Sequence, residues 1–121
     1  MLPPLMQVLA ASSAVEQIFG DDAARVYANE APPEVDRPYA VFSTIYGTPE
    51  NELGDSPGVD SWGVQIDVYG ARISEVRDGA QAIRDAIEPH AYVVSWRGEG
   101  RDKVTRDHSF SFDIEWLYRR T

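Results

Sequence analysis

From about Arg106 to Tyr118 the chain alternates: His108, Phe110, Phe112, Ile114, Trp116 and Tyr118 fall on one side, Ser109, Ser111, Asp113 and Glu115 on the other. Successive side chains of a β-strand point to opposite faces. A long strand with one apolar and one polar face belongs in a sheet that is packed on one side and open on the other. A second segment repeats the pattern, with Trp62, Val64, Ile66 and Val68 set against Gly63, Gln65, Asp67 and Tyr69.

The cover for the apolar face is written between these two strands. Ile73, Val76, Ala80, Ile83 and Ile87 recur at three-four spacing, which predicts a one-faced helix over 74–88. Ser74 reads as its N-cap, Glu75 suits the positive helix start, and Pro89 ends it. Near the start of the chain, Pro3 and Pro4 open a helix with Leu5, Val8 and Leu9 on one stripe. Ser13 and Glu16 have capping-box spacing for a second turn that runs to Gly20 and buries Val15, Ile18 and Phe19. A short extended piece is expected at Arg25–Tyr27, and Pro32 and Pro33 interrupt regular structure after it. Tyr39–Tyr46 is rich in β-branched and aromatic residues and predicts a strand that is central or covered on both faces. Residues 47–61 read as a long, mobile loop, broken by Gly47, Pro49, Gly54, Pro57 and Gly58 and acidic through Glu50, Glu52, Asp55 and Asp60. Ala91–Trp96 reads as a short strand and Gly98-Glu99-Gly100 as a hairpin turn. The expected class is α+β, a mostly antiparallel sheet with helices packed on one face, and 121 residues fit one domain over 1–121.

Composition narrows the function. A net charge of −9 repels phosphate backbones and anionic lipid, which disfavours nucleic-acid and membrane-surface binding. The absence of cysteine removes thiol catalysis, thiolate metal sites and disulfides together. No apolar run nears the length of a membrane span, and Met1–Leu5 lacks the basic residue of a signal peptide, so synthesis in a cytoplasm is expected. Asp107-His108-Ser109 has the residue types of a hydrolytic triad, but strand neighbours point to opposite faces, so the reading is strand-edge polarity. His90 reads as a helix-end residue. The acidic loop lacks the calcium-loop pattern, and Gly98-x-Gly100 lacks the rest of a phosphate cradle. No catalytic, cofactor-binding or metal-ligating residue is assigned. What remains is charge segregation. Arg97, Arg101, Lys103 and Arg106 cluster about one turn and Glu50, Glu52, Asp55 and Asp60 in one loop, an opposite-charge pair of surfaces for contacts between copies.

The layout as a whole resembles a known family. A short N-terminal helix leads to Arg25-Val26-Tyr27 and a proline-rich stretch, followed by Arg37-Pro38-Tyr39-Ala40-Val41-Phe42. Then come the acidic loop, Trp62-Gly63-Val64-Gln65-Ile66-Asp67-Val68-Tyr69-Gly70, the amphipathic helix and Phe112-Asp113-Ile114-Glu115-Trp116. This is similar, over nearly the full chain, to the tail-completion or tail-terminator proteins of long-tailed bacteriophages. The resemblance implies a virion protein without cofactor or reaction. Its copies would form a hexameric ring on the tail tube, contacting the tail-tube protein and the head or neck connector. The genomic DNA would pass through without specific binding, and an acidic channel would let it slide. The alternatives are another neck or minor tail component, or a small-ligand-binding or enzymatic α+β domain with its site between sheet and helix.

Overall fold

The computed structural model describes residues 2–50 and 58–119. Five strands form one sheet in the order β1-β2-β3-β5-β4. They are β1 (Val26–Ala28), β2 (Tyr39–Glu50), β3 (Val59–Gly70), β4 (Tyr92–Arg101) and β5 (His108–Arg119). Only β1 runs parallel to its neighbour, pairing with β2 at Ala40–Phe42, and the other three ladders are antiparallel. Three helices, α1 (Leu5–Ala10), α2 (Ser13–Phe19) and α3 (Ile73–Ile87), pack on one face. This is the α+β arrangement that the strand alternation predicts.

The core lies between α3 and the even-numbered residues of β3 and β5. Val64, Ile66, Val68, Phe112, Ile114 and Trp116 meet Val76, Ala80, Ile83 and Ile87, and Ile83 and Ile87 are 0% exposed. Trp62 and Phe110 are half-buried at its margins. Val15 and Phe19 of α2 and Leu5 and Leu9 of α1 close the helical layer. Gly79 lets α2 and the sheet approach α3: a Cβ there would sit 2.8 Å from Phe19 Cζ and 3.1 Å from Val68 Cγ1.

Several boundaries differ from the sequence reading. The α2 cap is Ser12, not Ser13, and its Oγ accepts from Val15 N at 3.3 Å. α3 starts a residue before Ser74, with Arg72 at the cap position and the Glu75 carboxylate accepting from the N–H groups of Ala71 and Arg72. Gly47 and Pro49 do not break the ladder. Gly47↔Trp62, Thr48↔Ser61, Pro49↔Asp60 and Glu50↔Val59 all pair. Pro49 is tolerated because β1 covers β2 only as far as Phe42, so no ladder bond is lost on the outer edge. Gly47 and Gly63 each lie opposite an aromatic residue: the Trp62 ring covers Gly47 and the Tyr46 ring covers Gly63. Likewise Gly98-Glu99-Gly100 is strand, not turn. Gly98 takes a φ of 103° at a bulge between Trp96 and Gly98, a conformation natural to glycine, and β4 continues to Arg101. The turn lies at 102–107, where the Asp102 carboxylate accepts from Val104 N and Thr105 N at 2.7 and 2.9 Å.

Candidate assembly surfaces

The eight residues singled out for interfaces separate along the sheet. Glu50 ends β2, and Asp60 lies in β3 opposite Pro49 and Tyr118, so it is a strand residue rather than a loop residue. Glu52 and Asp55 lie outside the described residues. Arg97 and Arg101 belong to β4, and Lys103 and Arg106 to the β4–β5 turn. β3 and β5 pair from Val59↔Arg119 at one end to Gly70↔His108 at the other. Eleven steps at about 3.3 Å put the acidic tip roughly 36 Å from the basic turn. Within one copy Glu50 and Asp60 cannot meet Lys103 and Arg106.

Two of the four basic residues are engaged locally. Arg97 Nε donates to both Asp113 carboxylate oxygens at 3.0 and 2.9 Å. That contact holds the guanidinium more firmly protonated and lets Asp113 stay buried on the open face. Arg101 Nε donates to the Arg106 carbonyl at 3.2 Å, so it closes its own turn. Lys103 and Arg106 are exposed.

The open face of the sheet is polar in its centre, with aromatic rings on either side of that centre. Gln65 Nε2 and Ser111 Oγ donate to the Asp67 carboxylate, and Tyr46 Oη donates to Glu115 at 3.1 Å. Partial burial, and then this bond, raise the Tyr46 phenol above its usual range. The rings of Tyr39 and Tyr69 stack 5.0 Å apart. The signal for this lattice was present in the alternating polar residues of β3 and β5. Its pairing was not, because partners such as Asp67 and Ser111 are 44 positions apart.

Asp107 departs from the strand-edge polarity expected of it. It is buried, and Arg37 Nε and Nη2 donate to its two oxygens at 3.0 and 2.7 Å. The Asp107 bond holds Arg37 more firmly protonated, partly offset by desolvation. The pair forms the wall of a cleft of about 540 Å³ at the turn end, between the 32–37 segment and the β4–β5 turn. His108 lies beyond, on the helix-covered face with Phe110 and Phe112. His90 follows α3, as expected of a helix-end residue, and its ring stacks on Trp116 at 5.8 Å. No helix among the described residues is long and apolar enough to cross a membrane.

Comparison with known proteins follows the same lines. The family model of tail completion protein gp17 matches residues 3–119. A chain in a structure described as the virion of a native gene transfer agent particle shares the fold. Its TM-score is 0.68 over 96% of this chain and 92% of that one, at 15% identity. No curated protein matches the sequence.

Proposed function

The chain belongs to the tail completion protein gp17 family, and from that premise we propose that its copies form a ring, of six in the simplest case, that caps the tail tube and joins it to the head. The carrying observation is the extent of the family match, which leaves only the terminal residues outside it. In this reading the tail-tube protein lies on one side of the ring and the head or neck connector on the other, and the genome passes through the hole without specific contacts. The net charge of −9 supports passage without adhesion. The separation of Glu50 and Asp60 from Lys103 and Arg106 along the sheet supports contacts between copies, and Glu52, Asp55, Arg97 and Arg101 are candidates for the same contacts.

Imaging of purified particles tests the reading. The expected result is several copies of the chain in one ring where tail meets head. A strain lacking the chain should yield heads and tails that fail to join. A single copy per particle, or normal joining without the chain, overturns the proposal.

A further inference from the structure

The sheet has two unlike sides. On one, β4 has no outer strand partner among the described residues; on the other, β1 covers β2 only at Ala40–Phe42. The exposed large apolar side chains gather on these two strands. Ile45 and Tyr46 lie on β2, and Tyr92, Val94 and Trp96 on β4, which makes five of the eight among the described residues. An edge strand exposed to water normally carries charge, proline or a bulge against unwanted pairing. β4 has two bulges, between Val93 and Ser95 and between Trp96 and Gly98. They discourage open-ended strand addition, yet they leave Tyr92 63% and Trp96 45% exposed, so side-chain packing is the means of covering this side.

The two sides match in position and in chemistry. Trp96 stands on the helix-covered face, with its ring 5.1 Å from Phe112 and 5.2 Å from the Arg84 guanidinium. On that face, at the opposite side of the sheet, α1 and β2 border an apolar groove of about 510 Å³ that includes Leu5, Met6, Phe42 and Tyr118. Register runs Phe42, Ile66, Phe112, Trp96 straight across the sheet, so knob and groove lie at one height. On the open face, Tyr46, Gly63, Glu115 and Tyr92 form another such row. Pure rotation about an axis near the strand direction keeps every copy at the same height. It therefore brings Trp96 to the groove and Tyr92 to Tyr46 at once.

We propose that copies of this chain join side to side, the β4 flank of one against the β2 flank of the next, with Trp96 seated in the α1–β2 groove. The inference rests on the ring reading and specifies its contact. Because the two flanks differ, the contact is heterologous and repeats until the rotation closes.

The chain has no cysteine, so introduced ones report without background. Ile45→Cys and Val94→Cys sit on facing flanks at nearly one height. Oxidation of assembled tails carrying both substitutions should give a ladder of linked copies, and either substitution alone should give none. Trp96→Ala in the purified chain should weaken self-association about thirtyfold, as for a buried aromatic anchor, with the thermal unfolding of the single copy little changed. Dimers from one cysteine alone, or unaltered association of Trp96→Ala, overturn the contact. Particles that show a ring in microscopy but yield no ladder overturn this contact and leave the ring standing. Particles with no ring overturn both.

Discussion

Asp107 shows how one carboxylate sets the closed end of the sheet. It is 7% exposed, and the Arg37 fork that satisfies it comes from 70 positions upstream. Asp107→Ala should lower unfolding free energy by about 1–2 kcal/mol, since a charge-assisted pair is lost but Arg37 stays open to solvent. Urea denaturation checks this. Asp102 acts differently. Backbone N–H groups of Thr105 and Val104 hold its carboxyl below the ordinary value of 3.8. A depressed carboxyl stabilises the turn above its unfolded-state pKa and loses that contribution as pH falls through its folded-state value. Amide exchange at Val104 and Thr105, corrected for the intrinsic pH dependence, should therefore show protection above pH 4 that fades below it. The sequence displayed Asp107 only as strand-edge polarity beside His108 and Ser109. Nothing local distinguishes a carboxylate facing water from one held by an arginine on a distant segment, so its role was illegible there.

Periodicity made the central elements readable. α3, β3 and β5 obey one rule each along their length, and the burial of their large apolar side chains follows it. Ile83→Ala should cost about 2–5 kcal/mol in equilibrium unfolding, as for a fully enclosed side chain. Gly79→Ala sets two effects against each other. Alanine improves helix propensity by up to about 1 kcal/mol, while the clash with Phe19 and Val68 costs about 1–3 kcal/mol. Overpacking should win, so the variant should unfold at lower urea concentration than the parent. The distal halves of β2 and β4 were hidden because their glycines and prolines carry the ordinary signature of loops. Pro49 escapes that rule on an uncovered edge, and Gly47 escapes it because the Trp62 ring across the ladder covers it. That compensation is a pairing property, invisible to a reading of single segments.

At the scale of the whole molecule, the charges were legible as clusters, but their separation was not, since it depends on where each strand ends. If contacts between copies use them, raising salt from 50 mM to 500 mM should weaken association of the purified chain, which sedimentation measures. The hairpin also changes the design of a loop deletion. Replacing residues 51–58 with Asn-Gly keeps Glu50 and Val59 in register, so folding should persist while heads and tails fail to join; an infectivity count tests it. The twelve-residue strands β2, β3 and β5 run from the tip toward the turn end, with their cross-strand hydrogen bonds perpendicular to that direction. A pull between tip and turn end is therefore borne in shear by whole ladders at once. A pull across the strands would instead unzip them bond by bond, so the subunit is mechanically stiffest along the line joining its acidic and basic ends.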